Sequence, residues 1–260
     1  MSLPVAEAPP RRTAAARVLV VLPAYNEAQG LGALLQRLDQ SMHEDGFRYQ
    51  IIVVDDGSRD ATARIAADHA RYMPIHIERH EANQGLGATI RDGLRVAVSH
   101  ARDEDVIVVM DADNTHTPRL IRNMIRVVRE GADVVIASRY RSGSYIRGVP
   151  IHRKLLSLGA RFLLQLLFPT PGIRDYTCGY RAYRASVLTE AFRRYGDDFI
   201  NQEGFQCMVD ILIKLRRMAL IFREVPLILR YDLKEGASKM KVVRTVRRTL
   251  GLIVRRRLAR

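Results

Sequence analysis

Along the first half of the chain, short unbroken apolar runs alternate with longer stretches of helical periodicity. The first run is Arg17-Val18-Leu19-Val20-Val21-Leu22, ended by Pro23; similar runs occupy 50–54, 105–110 and 133–137. All are rich in β-branched residues and too short for helices. Apolarity that does not alternate marks strands buried on both faces, as in a parallel sheet. Between the runs, apolar residues recur at helical spacing over 31–42, 62–71, 87–102 and 118–130. Strands alternating with helices of that length predict an α/β fold with a doubly wound, mostly parallel sheet flanked by helices.

The second half is less regular. An apolar helical stretch over 151–168 is stopped by Pro169-Thr170-Pro171-Gly172, and a polar, aromatic loop is expected over 175–183. A further helix is expected near 208–218, one more strand from Leu220, and helix from Lys239 onward. The first 16 residues, rich in Ala, Pro and Arg, read as a disordered arm without the apolar core of a signal peptide. The expected division is therefore arm (1–16), one α/β domain (17–233), and a basic loop with an amphipathic helix (234–260).

In a doubly wound sheet, ligands bind beyond the carboxyl ends of the strands. The segments at those ends are Pro23-Ala24-Tyr25-Asn26-Glu27, Asp55-Asp56-Gly57-Ser58, Asp111-Ala112-Asp113 and Ser138-Arg139-Tyr140-Arg141. Two carboxylates at i and i+2 on a strand end suit Mg2+ or Mn2+, which take one or two carboxylates and complete their shell with water and substrate phosphates. Two solvated aspartates in a turn would have the same sequence. Asp56 could accept from a base or a ribose hydroxyl, or serve an Asx turn. Asn83-Gln84-Gly85-Leu86-Gly87 opens a helix with glycines that allow close backbone approach, as a plain turn also would.

Charge sharpens this picture. The chain carries 42 Lys and Arg against 28 Asp and Glu, a formal +14, which favours phosphate-rich partners. From Lys234 onward, ten basic residues face the single Glu235. Val243, Val246, Leu250, Ile253 and Val254 share one helical face there, with Lys241, Arg244, Arg248 and Arg255 roughly opposite, the pattern of a helix lying on an anionic membrane surface. Packing of that apolar face on the domain is the alternative. Residues 151–168 offer Leu155, Leu156, Phe162, Leu163, Leu166 and Leu167 to the same interface or to the core. Nucleic acid is not an expected partner: the basic residues lack interleaved aromatics and the predicted cleft is acidic. Two cysteines, Cys178 and Cys207, make neither a disulfide framework nor a zinc site and are expected as buried thiols.

Taken together and in order, Leu-Pro-Ala-Tyr-Asn-Glu, Val-Val-Asp-Asp-Gly-Ser, Asn-Gln-Gly-Leu-Gly and Met-Asp-Ala-Asp resemble the family 2 inverting glycosyltransferases of the GT-A fold. Ala-Ser-Arg-Tyr, Cys-Gly-Tyr-Arg-Ala-Tyr and Gly-Ala-Ser-Lys-Met are similar to the dolichol-phosphate mannose synthase and polyprenyl-phosphate branch. The resemblance covers about residues 17 to 240. It implies that Pro23, Tyr25, Glu27, Asp56 and Gly85 hold the nucleotide sugar, and that Asp111 and Asp113 engage metal and diphosphate, Asp113 among the catalytic residues with Arg139 and Arg153. Arg139, Arg153 and Arg181 would face the acceptor phosphate, and Ser238, Lys239 and Met240 would end a mobile loop. The implied reaction is metal-dependent transfer of a hexose, mannose from GDP-mannose before glucose from UDP-glucose, to a polyprenyl phosphate. A soluble hydroxyl acceptor is the other reading. The implied location is the cytoplasmic face of a membrane, peripherally. Three departures stand out: Thr115 where the family often has a metal-binding Gln, a loose Phe205-Gln206 to Asp210 motif, and Leu233 in place of an arginine, with Lys234 beside it.

Overall fold

The computed structural model describes residues 16–148, 151–230 and 242–258; within these, the side chains of 151–156, 242–244 and 258 are not described. In chain order the elements are β1 (Val18–Ala24), α1 (Ala28–Glu44), β2 (Tyr49–Asp55), α2 (Thr62–His69), β3 (Ile75–Arg79), α3 (Leu86–His100), β4 (Val106–Val109), α4 (Leu120–Arg129) and β5 (Val134–Ser138). There follow β6 (Tyr145–Arg147), α5 (Ile151–Leu167), β7 (Arg181–Arg184), α6 (Ala185–Tyr195), a 3₁₀ turn (Gly196–Ile200), α7 (Cys207–Leu215), β8 (Phe222–Pro226), β9 (Ile228–Arg230) and α8 (Val242–Leu258).

Seven strands form one sheet in the order β3-β2-β1-β4-β7-β5-β8. Every pairing is parallel except the two made by β7, which runs antiparallel between β4 and β5. The four runs anticipated from sequence are the buried strands β1, β2, β4 and β5, and all of Val18–Leu22 and Val134–Ala137 is sealed from solvent. Two strands of this sheet were not anticipated. β3 is an edge strand whose Ile-His-Ile-Glu-Arg alternates instead of running apolar. β7 begins at Arg181, inside the segment expected as loop, because burying an arginine in a sheet centre requires a special arrangement described below. A two-stranded parallel pair, β6 and β9, lies beside the main sheet.

Register fixes which residues meet at the sheet's carboxyl edge. Ala24 of β1 stands opposite Asp55 of β2, and Val21 opposite Val109 of β4. β4 thus ends three residues short of β1 and β2, and two backbone bonds lock the turns: Asp56 N–H to the Ala24 carbonyl at 2.8 Å and Met110 N–H to the Val21 carbonyl at 3.1 Å.

The C-terminal helix is docked through one side. Leu252 and Ile253 are buried, and Arg256 donates from Nε and Nη2 to the two oxygens of Asp210 on α7 at 2.7 and 2.9 Å. Lys214 reaches the same carboxylate at 2.7 Å. The apolar face expected to lie whole on a membrane is thus divided. Ile253 packs on the domain, while Val246, Leu250 and Val254 stay exposed. The expected solvated side is also altered, since Arg248 pairs with Glu203 at 3.1 Å. Both cysteines are buried and free.

Candidate active site

Asp56 links the end of β2 to the loop that opens α3. It is buried, and its Oδ1 accepts the Gln84 N–H at 2.8 Å while Oδ2 accepts the Gly85 N–H at 2.9 Å. His80 Nδ1 lies 2.8 Å from the same Oδ1 and His80 Nε2 lies 3.3 Å from Asp92. The carboxylate thus ties the strand end to the glycine-bearing loop. Close approach requires the glycines there: a Cβ on Gly57, at φ +67°, would lie 2.7 Å from the Ala82 backbone, and one on Gly87 would lie 1.6 Å from the Gln202 carbonyl. Tyr25, Glu27 and Pro23 are half-buried at the end of β1. Asn26 adopts φ 50°, a left-handed conformation that costs a non-glycine residue energy. Its backbone N–H donates to Ser58 Oγ at 2.9 Å and its Oδ1 accepts from the Arg59 N–H at 2.9 Å, which holds it there.

The Asp111–Asp113 turn is braced from three sides. Thr115 Oγ1 donates to Asp113 Oδ1 at 2.7 Å, and the Thr115 N–H points to the same oxygen at 3.2 Å. His116 Nδ1 accepts the Asp111 N–H at 3.2 Å, and its ring stacks on Tyr180 with centroids 4.8 Å apart. Asn114 is the second left-handed non-glycine residue, at φ 66°; Arg37 of α1 grips its carbonyl and side-chain oxygens. The Arg230 N–H of β9 donates to the Thr115 carbonyl at 3.0 Å. Thr115 is therefore a brace for Asp113, buried behind it.

Opposite, Arg139 leaves the end of β5 and meets Asp175. Nε and Nη2 donate to the two carboxylate oxygens at 2.8 and 2.7 Å, the backbone N–H adds a bond at 3.1 Å, and Thr177 Oγ1 accepts from Nη2. Burial alone would raise the Asp175 carboxyl; the adjoining guanidinium outweighs it and holds the group below its ordinary range. Nη1 of Arg139 has no hydrogen-bond partner among the described residues. The loop after Asp175 returns toward the Asp111–Asp113 turn, where a Cβ on Gly179 would stand 3.6 Å from Asp111 Oδ1.

Arg181 requires correction. It is completely buried and donates from Nε, Nη1 and Nη2 to the carbonyls of Cys178, Met208 and Tyr176, each at 2.8 Å. Its cation is spent on the backbone of the core, so it does not face an acceptor phosphate. Arg153 falls in α5 with its side chain outside the described residues, as do Ser238, Lys239 and Met240 altogether. Asp175, Thr177, His80 and Arg37 were not singled out from sequence. Asp175 alone had a local signal, an acidic residue opening a loop that the topology returns to the Arg139 strand end.

Residues 19–192 match the family described as Glycosyl transferase family 2. A dolichol-phosphate mannosyltransferase of Pyrococcus furiosus is 33% identical over 226 residues, covering 86% of this chain and 59% of that protein, so the chain spans well under two thirds of that relative's length. A polyprenol monophosphomannose synthase of Mycolicibacterium smegmatis is 34% identical over 230 residues, covering 86% and 81%. Among solved structures, glucosyl-3-phosphoglycerate synthase from Mycobacterium tuberculosis, in complex with Mn2+, UDP and phosphoglyceric acid, superposes with a TM-score of 0.67 at 21% identity, over 94% of this chain and 79% of that one. The fold is GT-A, the segments 23–27, 55–58, 111–113 and 138–141 sit at its strand ends, and this chain belongs to glycosyl transferase family 2 and is a glycosyltransferase.

Proposed function

We propose that this enzyme transfers mannose from GDP-mannose to a polyprenyl phosphate, with inversion, at a membrane surface. The observation that carries the reading is one short loop that serves both charged groups: it starts at Asp175, which chelates the Arg139 guanidinium, and reaches Gly179, where a Cβ would stand 3.6 Å from Asp111 Oδ1. Support for the sugar and acceptor comes from the two mannosyltransferase relatives named above.

Tyr25, Glu27 and Pro23 flank the nucleoside end, with Asp56 holding the Gln84–Gly85 backbone in place beneath it. Two carboxylates fit a Mg2+ or Mn2+ ion whose other positions come from diphosphate and water. Among the described residues no group of three or more His, Cys, Asp or Glu side chains assembles, and the ion is assigned to Asp111 and Asp113. When bound, the ion would neutralise charge building on the departing diphosphate. An acceptor phosphate is already anionic and needs no general base; it needs a cation to bring it beside a second anion. Arg139 supplies one, held in a fixed orientation by Asp175, and Arg153 is assigned a second.

No helix among the described residues is long and apolar enough to cross a membrane. Two exposed stripes at i, i+4 and i+8 support attachment from the side: Leu158, Phe162 and Leu166 on α5, and Val246, Leu250 and Val254 on α8. The test is a transfer assay with radiolabelled GDP-mannose and UDP-glucose, each offered to a polyprenyl phosphate with Mn2+ or Mg2+. A labelled lipid from GDP-mannose, absent with Asp113→Ala, supports the reading. Product from UDP-glucose alone overturns the sugar, and no lipid product with donor binding intact overturns the acceptor.

A further inference from the structure

A cavity of about 590 Å³ opens between α8 and the loop that precedes α7, lined by Asn201, Gln202, Glu203, Gln206, Arg247, Arg248, Gly251 and Arg255. None of the residues assigned to donor, metal or acceptor lines it. Its chemistry is cationic with neutral donors: three guanidinium groups against one carboxylate, and side-chain amides on the facing loop. Arg248 is satisfied by Glu203 at 3.1 Å. Arg247 and Arg255 have no ion-pair partner among the described residues.

The helix presents these two arginines with a gap between them. Gly251 lies four residues from each, and a Cβ placed on it would meet nothing within 4 Å. Eight residues of helix set the two arginine backbones about 12 Å apart along the axis, with an empty step at the middle. A space of this kind suits an anion with several oxygens, because each guanidinium presents a planar fork matched to phosphate. The neighbouring positions indicate where the rest of the ligand lies. Arg247, Gly251 and Arg255 each follow by one residue a member of the exposed apolar stripe Val246, Leu250 and Val254.

We infer that this cavity is a binding site for a phosphate-bearing anion, and that its occupant is the headgroup of an anionic bilayer lipid whose chains lie along that stripe. The lipid source shares the membrane reading above; the anion chemistry of the cavity does not depend on it, nor on the sugar transferred.

The test compares four full-length proteins: wild type, Gly251→Leu, Arg255→Gln and Arg257→Gln. Flotation with phosphatidylcholine vesicles, with and without phosphatidylglycerol, reads the lipid source, and calorimetry with inorganic pyrophosphate reads a soluble one. Diffuse attraction is worth about 1 kcal/mol per basic residue, so Arg257→Gln, outside the cavity, should lose roughly fivefold in affinity for anionic vesicles. Arg255→Gln should lose roughly tenfold to a hundredfold, the worth of a charge-assisted hydrogen bond. Gly251→Leu is decisive: it fills the cavity, keeps every charge, adds apolar surface and favours the helix. Diffuse attraction predicts binding unchanged or tighter, and an occupied cavity predicts a loss of about tenfold with the far-ultraviolet spectrum preserved. Loss confined to pyrophosphate binding keeps the site and assigns it a soluble ligand. Wild-type behaviour of Gly251→Leu in both arms, with Arg255→Gln no worse than Arg257→Gln, overturns the proposal. Donor binding, measured on the same proteins, separates this failure from failure of the transferase assignment.

Discussion

Arg139 and Asp175 form a two-point pair, Nε and Nη2 against both carboxylate oxygens at 2.8 and 2.7 Å, with the carboxylate sealed from solvent and the guanidinium at 23% exposure. The arrangement joins a fold requirement to a site requirement. Removing Arg139 strands a buried carboxylate, which costs about 3–5 kcal/mol. Arg139→Ala is therefore expected to lower the melting temperature as well as transfer, and Arg139→Lys is the better probe of chemistry. It keeps a charge but loses the fork, so transfer should fall at least about tenfold while donor binding, by calorimetry, is kept.

The same pair sets an acid dependence. The folded Asp175 carboxyl sits below its unfolded value of about 3.9, so its contribution is complete above that pH and is lost as pH falls through the folded value. Asp175→Asn should lower stability at neutral pH and flatten the acid limb of a melting-temperature profile. An unchanged acid limb would mean that other carboxylates dominate it.

Glu224 behaves in the opposite sense. Its Oε1 accepts the Arg174 and Asp175 N–H groups, both at 2.7 Å, while Oε2 is buried without a partner. Burial raises its carboxyl above the ordinary value despite those two bonds. A raised folded value means the charged form burdens the native state at neutral pH, and stability improves as pH falls toward it. Glu224→Gln keeps the acceptor and adds a donor. Its melting temperature should exceed wild type at neutral pH, by the worth of about 1 kcal/mol, with the advantage shrinking in acid.

Thr115 braces Asp113 through a bond of 2.7 Å. Thr115→Val keeps the shape and removes the hydroxyl. The loss of an orienting partner behind a metal ligand typically costs 10- to 100-fold, so about that increase is expected in the Mn2+ concentration for half-maximal transfer. Asp113→Ala should abolish transfer at every Mn2+ concentration. An unaltered Mn2+ titration for Thr115→Val would separate Asp113 from the ion.

Asp210 is shared by Lys214 of α7 and Arg256 of α8. Asp210→Asn leaves two cations facing each other, one of them deeply buried. Removing one partner of a buried pair costs about 3–5 kcal/mol, and the expected outcome is loosening of α8, read as faster trypsin cleavage at Arg255 to Arg257. Cleavage at the wild-type rate would show that Leu252 and Ile253 suffice to hold the helix.

The sequence exposed those features whose physics is local. Val18 to Leu22 cannot be anything but a buried strand, and turns at such strand ends carry their polar residues into one cleft whatever follows. β7 was not legible, because Arg-Ala-Tyr-Arg is a poor strand until three core carbonyls, 176, 178 and 208, converge on the Arg181 guanidinium. For the same reason Arg181 was misassigned: a buried structural arginine and a phosphate-binding one differ only in what the tertiary fold puts around them. The partition of α8 was hidden similarly. Periodicity finds an apolar sector but not the part of it that Asp210, far away in sequence, draws inward.

The antiparallel strand at the centre of the sheet has a consequence for how the molecule is made. β5 cannot pair with β4; both wait for β7, whose last residue is Arg184. As the chain leaves the ribosome, β3-β2-β1-β4 can assemble with the Asp111 turn already at its edge, while β5, carrying Arg139, has no neighbour. The strands that carry Asp111 and Arg139 are made separately, and the late insertion of a four-residue strand joins them into one sheet.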